Sequence, residues 1–335
     1  MIIDNNFYMN LALSEAWKYQ GLTYPNPAVG ACLVGENGEV LAVEAHRRSG
    51  EAHAEVNALQ TAYYKLTDDE TILALNSSLD IHNYLLTNHN NIFKNTKLFT
   101  TLEPCSHKGK TPSCASLISE LGIQEVYVGS CDTNKIAQNG NTVLTKNGCI
   151  VHTEILKKEC DALLFPFKRS LEERFVYFKW AQRLNATTDD GNVSSLESRR
   201  DVHAKRDVCD LLVIGGNTVR IDRPTLDARL VDGKAPDILI YSHQKEFDKS
   251  IPLFGVKNRN IFIESDFKRL ENYKNIMIEG TDTMYELTRD IVDYYLCYVA
   301  PSFGGSKSFN ASEDSFDILN VRKENEDIIM WMKRK

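Results

Sequence analysis

Four residues in the first half of the chain have the types and order of a metal-dependent hydrolytic site. His53 and Glu55 lie two positions apart, and Cys105 and Cys114 follow later in the chain. One imidazole and two thiolates hold Zn²⁺ through three protein atoms and leave its fourth position open for water. Bound zinc lowers the pKa of that water from 15.7 to about 7, and Glu55, which is not a ligand, can then carry the proton. The pattern predicts a zinc-dependent deaminase site.

The alternative is that His53 and Glu55 are simply a histidine and an acid on an ordinary amphipathic helix. If the chain had only the His-x-Glu motif, this alternative would be the better interpretation. Here, however, Pro104-Cys105 follows a strand-like run at residues 97–102 that would deliver the cysteines to the same sheet edge. With ~3.6 residues per turn, His53 and Glu55 point roughly 200° apart, yet in the first turn of a helix both can reach one metal-bound water. The cysteines therefore favour the zinc site.

Three runs in the first half carry a family resemblance. They are Pro25-Asn26-Pro27-Ala28-Val29-Gly30, then His53-Ala54-Glu55, then Thr101-Leu102-Glu103-Pro104-Cys105-Ser106-His107 running on to Lys110-Thr111-Pro112-Ser113-Cys114. On these runs the chain resembles the bacterial bifunctional deaminase-reductases of riboflavin biosynthesis. The eight residues between Cys105 and Cys114 are the wider interval of that family, whereas base and tRNA deaminases carry Cys-x-x-Cys.

Length and composition indicate a soluble globular protein of two domains. A chain of 335 residues is more than one core usually holds. No apolar run approaches the ~18 residues of a membrane span, and the amino terminus has neither a basic region nor an apolar signal core, so we expect a cytoplasmic protein with no membrane partner. The net charge of -7 disfavours a nucleic-acid partner, because phosphate binding relies on clustered lysines and arginines.

The elements of the first half alternate in the manner of an α/β domain. Helical spacing at residues 7–19 predicts a core-facing helix, and strand-like runs at 29–34 and 40–45 flank the turn signal Asn37-Gly38. A helix near His53 then alternates with strands at 97–102, 125–129 and 149–154 and with helices at 112–121 and 135–146. The resemblance implies a cytidine-deaminase-like α/β/α domain over residues 1–172.

Residues 66–95 interrupt this alternation and are interpreted as an insertion. Short helices are expected at 72–79 and 81–86, in a surface excursion or, alternatively, a lid over the active site. We expect His82 and His89 to be exposed to solvent.

The second half, residues 173–335, repeats the strand and helix alternation without a histidine-cysteine site. Strands are expected at 175–181, 210–214, 238–241, 260–263, 276–279, 295–300 and 328–331, with a helix at 283–293, which predicts an α/β fold with a mostly parallel sheet. The runs that match the family here are Gly215-Gly216-Asn217-Thr218-Val219, Asp222-Arg223-Pro224-Thr225-Leu226-Asp227-Ala228-Arg229, Glu279-Gly280 and Ala300-Pro301. The resemblance implies a dihydrofolate-reductase-like fold that uses NADPH.

The resemblance also implies binding residues at matching positions. In the deaminase half, the residues near the substrate are expected to be Asn26, His46, His107, Lys110, Asp132 and Asn134, with Asn26 holding the pyrimidine ring and the lysine and histidines suited to the phosphoribosyl group. In the reductase half, Lys179, Arg206, Leu226, Arg229 and Glu279 are expected at the substrate, and Ala181, Gly215, Gly216, Thr218, Asp222 and Gly280 at the cofactor. The arginines are expected to grip phosphate, although each could instead form a surface ion pair.

The chain departs from the family at the loops that face NADPH. Members commonly carry Ser-Leu-Asp-Gly after the first reductase strand, where this chain has Arg183-Leu184-Asn185-Ala186, and Thr281 replaces a frequent glycine. These changes raise the question of whether cofactor binding is rearranged or weakened.

The expected function is therefore deamination of a phosphoribosylaminopyrimidine followed by NADPH-dependent reduction of its ribosyl chain, in a protein that the resemblance suggests is a dimer. Two alternatives stay open at this point. One is a deaminase whose second half is a structural or assembly module, and the other is a nucleic-acid editing deaminase, which predicts a basic, aromatic-studded face.

Overall fold

The structure is a computed structural model that describes residues 4–106, 112–132, 139–189 and 191–335. The chain divides into two compact units, Met1–Lys168 and Arg169–Lys335. The boundary predicted near residue 172 coincides with the last residue of helix α6 (Lys157–Glu172), and the division between the units falls within that helix. Within the described ranges, no helix is long and apolar enough to cross a membrane.

The first unit is built on a five-stranded sheet. Its strands are β1 (Gly30–Val34), β2 (Val40–Ala45), β3 (Lys97–Leu102), β4 (Glu125–Ser130) and β5 (Ile150–His152). In the order β2-β1-β3-β4-β5, the first two pairings are antiparallel and the last two are parallel. All five strands predicted for this half form; β2 and β3 match the predicted bounds, and the other three differ by one or two residues at one end or both.

Helices cover both faces of this sheet. Leu98 of β3 lies in the core with residues of α2 (Ala54–Thr67) and α4 (Cys114–Glu120). Because side chains alternate along a strand, Phe99 faces the opposite side. There its ring stacks on Tyr127 at a centroid distance of 4.4 Å and contacts Tyr8 of α1 (Asn5–Trp17) at 5.1 Å. The predicted α/β/α layering is confirmed, and a shorter helix, α5 (Gly140–Lys146), follows β4.

Residues 66–95 pack into the core of the first unit, which corrects the expected surface excursion. A 3₁₀ helix at Glu70–Ala74 precedes α3 (Ser78–Asn88). The Gln60 amide of α2 donates hydrogen bonds to the carbonyl oxygens of Ile72 and Leu75, at 2.8 and 3.0 Å. His82 is buried rather than exposed, because α3 turns the face that carries it toward the core. The apolar residues that anchor the segment are Ile72, Ile81, Leu85 and Phe93.

The second unit holds an eight-stranded sheet in the order β12-β13-β11-β6-β10-β7-β8-β9. The pairings from β11 to β9 are parallel, and β13 and β12 extend one edge in antiparallel fashion, so the predicted mostly parallel sheet is confirmed. The strands are β6 (Phe175–Arg183), β7 (Leu211–Gly215), β8 (Asp237–Tyr241), β9 (Ile261–Glu264), β10 (Asn275–Glu279), β11 (Tyr294–Ala300), β12 (Phe316–Glu324) and β13 (Asp327–Arg334).

Two elements of this unit were not predicted from the sequence. Helix α7 (Leu196–Val208) is dominated by charged residues, so its apolar stripe is too thin to mark a helix. Strand β12 alternates poorly because its register shifts between Ile318 and Asn320. The remaining helices are α8 (Gly216–Asp222) and α9 (Asp282–Thr288), with 3₁₀ helices at Arg229–Val231, Pro252–Gly255 and Lys268–Asn272.

Candidate active sites

The first site forms where the amino end of α2 meets the loop after β3. His53 immediately precedes α2, and Glu55 lies in the first turn of that helix. Cys105 follows β3, and Cys114 is the first residue of α4. The Cys114 backbone N–H donates to Cys105 Sγ at 3.4 Å, so the start of α4 is held against the first thiol.

The three predicted ligand atoms are spaced for one tetrahedral ion. His53 Nδ1 lies 3.4 Å from Cys114 Sγ and 3.7 Å from Cys105 Sγ, and all three atoms lie within 4.8 Å of one another. With Zn–N near 2.0–2.1 Å and Zn–S near 2.3 Å, a tetrahedral angle places nitrogen and sulfur about 3.6 Å apart. The two measured distances fall on either side of that value, so these residues fit zinc.

The two thiols of the site differ in acidity: the hydrogen bond to Cys105, together with burial, raises the pKa of the Cys114 thiol, so Cys105 is the thiol that ionises more readily. Hydrogen bonding to Cys114, together with the neighbouring His53, holds the pKa of the Cys105 thiol below its usual range. A low pKa favours the thiolate, which is the form that binds a metal.

Glu55 is enclosed in the same site. The residue is only 4% exposed, and burial raises the pKa of its carboxyl to about 7. A divalent cation beside it would favour the charged carboxylate and lower that pKa. Because burial raises the pKa of this carboxyl and a bound cation would lower it, the group is suited to accept a proton and return it near neutral pH.

Asn26 and His46 form a hydrogen-bonded pair beside the ligand His53. His46 Nδ1 donates to the Ala52 carbonyl oxygen at 3.1 Å, which leaves Nε2 to accept from the Asn26 amide at 3.1 Å. Burial lowers the pKa of His46 to about 4, in keeping with this neutral ring. Both ring nitrogens are therefore used within the protein, so His46 orients Asn26 and has no nitrogen left for the phosphoribosyl group expected from the sequence.

Glu103 is a site residue that the sequence analysis missed. Its buried carboxylate accepts the Asp132 N–H at 3.0 Å and the Asn141 N–H at 2.9 Å. It thereby ties the loop after β4 and the start of α5 to the loop that carries Cys105. The sequence offered no signal, because Glu103 appeared only as part of the Pro-Cys run. Of the other predicted residues, Asp132 lies at this clamp, whereas His107, Lys110 and Asn134 lie outside the described residues.

The second site is a cavity of about 1210 Å³ in the second unit. Such a volume is large enough for an extended ligand, because small-molecule sites typically measure roughly 300–1,000 Å³. All of the residues predicted for the reductase line it: Lys179, Arg206, Leu226, Arg229 and Glu279 from the substrate set, and Ala181, Gly215, Gly216, Thr218, Asp222 and Gly280 from the cofactor set.

A buried ion-pair cluster lies in the wall of this cavity. Arg206 donates two hydrogen bonds to the Glu279 carboxylate, at 2.8 and 3.0 Å, and Lys179 Nζ lies 3.7 Å from the same carboxylate. Burial alone would raise the pKa of Glu279, but Arg206 and then Lys179 hold it at about 2. Burial lowers the pKa of Lys179, which the Glu279 carboxylate partly offsets. Two donors of Arg206, Nε and Nη2, therefore bind Glu279. A phosphate, which the sequence predicted as a ligand of Arg206, would compete with Glu279 for them.

The cavity carries excess positive charge in an otherwise acidic protein. Its described lining includes three acidic residues, Asp189, Asp222 and Glu279. The lysines and arginines number seven: Lys179, Arg199, Arg206, Arg220, Arg223, Arg229 and Lys307. Because the whole chain has a net charge of -7, this local excess indicates an anionic ligand.

Close packing accounts for two of the three glycines predicted for the cavity, Gly216 and Gly280. A Cβ at Gly216 would lie 2.7 Å from Ser242 Cβ, and one at Gly280 would lie 2.5 Å from Met284 Cβ. These glycines bring the ends of β7 and β10 close to their neighbours along the cavity wall. An extended ligand that carries phosphates fits this positive wall.

The unusual sequence after β6 still forms a closed turn. Ala186 adopts a left-handed conformation with φ of 61°, where the family commonly has glycine. The Arg183 guanidinium donates to the Asp189 carbonyl oxygen at 2.7 Å, and the Asn185 amide donates to the Gly304 carbonyl oxygen at 3.0 Å. The departures therefore tie the turn to neighbouring loops, and Thr281 is accommodated as the residue before α9.

Comparisons with known proteins match both halves of the chain. Residues 3–130 match the cytidine and deoxycytidylate deaminase zinc-binding region, and residues 175–325 match the RibD C-terminal domain. The chain is 28% identical to the riboflavin biosynthesis protein RibD of Aquifex aeolicus, over 99% of both chains. It is 32% identical to RibD of Bacillus amyloliquefaciens, over 68% of this chain and 56% of that protein.

A solved structure has the same fold along nearly the whole chain. It is the diaminohydroxyphosphoribosylaminopyrimidine deaminase/5-amino-6-(5-phosphoribosylamino)uracil reductase of Thermotoga maritima, with a TM-score of 0.63, 23% identity and 98% of both chains covered. At this identity the likeness supports the fold.

Proposed function

The chain belongs to the family of bifunctional riboflavin biosynthesis deaminase-reductases, and we propose that it carries out both reactions of the family in sequence. The first is hydrolytic deamination of 2,5-diamino-6-(5-phosphoribosylamino)pyrimidin-4(3H)-one. The second is NADPH-dependent reduction of the ribosyl chain, which gives 5-amino-6-(5-phosphoribitylamino)uracil. The observation that supports the proposal best is the convergence of His53, Cys105 and Cys114 beside the buried Glu55.

In the deamination, His53, Cys105 and Cys114 would hold zinc, which supplies a bound water of lowered pKa. Water adds to C2 of the pyrimidine ring, the C–N bond to the exocyclic amine breaks, and ammonia leaves. Glu55 would take the proton from the attacking water and return it to the departing amine, a role that its buried position in the first turn of α2 favours.

Asn26 would position the ring for this attack. Its amide N–H is held by His46 Nε2, which fixes the orientation of the amide oxygen. Because His46 is in turn fixed by the Ala52 carbonyl, the orientation does not depend on the substrate. Preorganisation of this kind lowers the barrier, since no reorientation is needed as the reaction proceeds. Asp132, held by Glu103, would border the same pocket.

In the reduction, the cavity of the second unit would hold NADPH along Ala181, Gly215, Gly216, Thr218, Asp222 and Gly280. When bound there, NADPH would supply a hydride to C1 of the opened ribosyl imine, whose nitrogen would take up a proton. Lys179 and Glu279 would position the pyrimidine and the opened sugar, and Leu226 would contact the substrate. Arg206 would keep Glu279 ionised, and the exposed Arg229, which pairs with Asp227 and lines the cavity, would contact the substrate's phosphate.

Product analysis tests the proposal directly. Zinc-loaded protein is incubated with the diaminopyrimidine phosphate, with and without NADPH, and the products are identified by mass. We expect the deaminated phosphoribosyl compound and ammonia without NADPH, and the phosphoribityl compound with it. Deamination that never proceeds to reduction would instead support a second half that acts as a structural or assembly module.

The homodimer and the cytoplasmic location expected from the sequence remain proposals. Light scattering across a range of protein concentrations measures the mass in solution, and a monomer at every concentration would contradict the dimer.

A further inference from the structure

Arg199 lies on the face of α7 that lines the reductase cavity. Val202, His203 and Arg206 share this face, because residues three, four and seven positions apart lie on one side of a helix. The cavity therefore receives two arginines from one helix. They differ in what they contact within the protein.

Other cations of the cavity are already committed to protein partners. Arg206 and Lys179 share the Glu279 carboxylate, and Arg229 lies 2.6 Å from Asp227. Arg223 pairs with Asp248 at 2.8 Å. Arg220 donates to the carbonyl oxygens of Gln244 and Glu246 and lies over the Phe247 ring. These contacts satisfy much of the hydrogen-bonding capacity of each side chain without a ligand.

Arg199 has no comparable partner. Among the described residues its side chain pairs with no carboxylate, and its buried Nε makes no hydrogen bond. A guanidinium is always charged and carries five N–H donors, so a buried donor without an acceptor is unfavourable. Arg199 also lies near the amino end of α7, where the helix dipole disfavours a positive charge. Both features would be relieved by an anion in the cavity.

We propose that Arg199 binds a phosphate group of a ligand in the reductase cavity. The planar guanidinium donates two parallel hydrogen bonds to phosphate oxygens, a geometry that suits its position in a cavity with excess positive charge. Two ligands of the proposed function carry phosphate, the sugar phosphate of the substrate and the dinucleotide, and the proposal rests on that function. It adds Arg199 as a phosphate contact on α7 beside Arg206, which is paired with Glu279 and whose own predicted phosphate contact stays a prediction.

The test compares Arg199→Gln with Arg200→Gln in the full, zinc-loaded chain. The neighbouring Arg200 is exposed and does not line the cavity, so the control makes the same change of charge on the same helix. NADPH binding is measured by fluorescence titration, and the KM for the deaminated phosphoribosyl substrate is measured at saturating NADPH. For Arg199→Gln we expect one of these constants to rise about tenfold to hundredfold, the range for losing hydrogen bonds to a charged group.

The pattern of the change identifies the phosphate. A higher KM with unchanged NADPH affinity assigns Arg199 to the sugar phosphate, and weaker NADPH binding with unchanged KM assigns it to the dinucleotide. Arg199→Lys is expected to restore only part of the binding that Arg199→Gln loses, because lysine keeps the positive charge but not the planar guanidinium that donates two parallel hydrogen bonds.

A stability measurement separates ligand binding from a structural role. Without ligands, Arg199→Gln is expected to melt at the same temperature as the unaltered chain or higher, since it removes an unpaired charge. Wild-type-like binding and KM in Arg199→Gln would overturn the proposal while leaving the proposed function intact. An unaltered chain that binds no NADPH and reduces no substrate would instead refute the function and this inference together.

Discussion

Replacing Glu279 by glutamine removes the carboxylate that Arg206 and Lys179 share. In the folded protein Arg206 and Lys179 hold the pKa of Glu279 at about 2, against about 4.3 for an unfolded chain. Because the folded pKa is the lower one, the ionised carboxylate stabilises the folded state above pH ~4.3, and this stabilisation is lost as the pH falls toward 2. At 1.36 kcal/mol per pKa unit, the contribution is about 3 kcal/mol at pH 7.

Urea unfolding of the whole chain measures this contribution. Trp180 and Trp331 belong to the second unit, so tryptophan fluorescence reports mainly on the unit that contains Glu279. With a slope of about 1–3 kcal/mol per molar urea, the loss predicts a midpoint roughly 1–3 M lower at pH 7. Glu271→Gln, a matched change at an exposed position of the same unit, is expected to shift the midpoint little.

The pH dependence distinguishes the ion pair from a packing defect. The difference between the unaltered chain and Glu279→Gln should be constant from pH 6 to 8 and shrink below pH ~4.3. A difference that stays constant down to pH 3, or a loss under about 0.5 kcal/mol at pH 7, would refute the assignment of Glu279 as the stabilising partner of Arg206.

Three further changes have defined outcomes. Glu55→Gln is expected to abolish ammonia release while zinc content and NADPH-dependent reduction of the deaminated intermediate persist, and loss of both activities would contradict independent sites. Cys114→Ser is expected to lose bound zinc, measured by atomic absorption, together with deamination, because a hydroxyl is a poor replacement for the thiolate ligand; full zinc occupancy would refute that ligand. Ala186→Gly is expected to stabilise the second unit by about 0.5–1 kcal/mol in a thermal melt, because its φ of 61° disfavours alanine. An unchanged or lower melting temperature would contradict that strain.

The sequence was most informative where residue type alone restricts the chemistry. One histidine and two cysteines beside an acid that is not a ligand are typical of a metal site. The structure brings the ligand atoms of His53, Cys105 and Cys114 within 4.8 Å of one another. All strands except β12 were also predictable, because runs of apolar residues mark them. Helix α7 was not, since its helical character depends on packing one narrow face into the unit and not on an apolar pattern.

Amino-acid composition did not predict that the insertion at residues 66–95 packs into the core of the first unit. Residues 66–95 are rich in polar residues and lack a sustained period, which is typical of a surface loop. The structure anchors the segment through a few widely separated apolar residues, among them Ile72 and Phe93, each of which is fully buried. Four such residues in thirty are too few to produce a periodic signal, yet they are enough to fix the segment against α2.

A similar limit applies to the arginines of the reductase cavity. The family resemblance named Arg206 and Arg229 for the cavity and expected both to grip phosphate, but it did not name Arg199. Whether a guanidinium is available to a ligand depends on its partners within the fold, and the partner of Arg206 is Glu279, from a strand far along the chain. The Glu279 carboxylate accepts from Nε and Nη2 of Arg206, so a phosphate would meet only the remaining donors of that guanidinium, one of which also contacts the Asp227 carbonyl oxygen. Within the part of the chain that the structure describes, Arg199 pairs with no carboxylate, and for this reason we expect it to bind phosphate with less competition than Arg206.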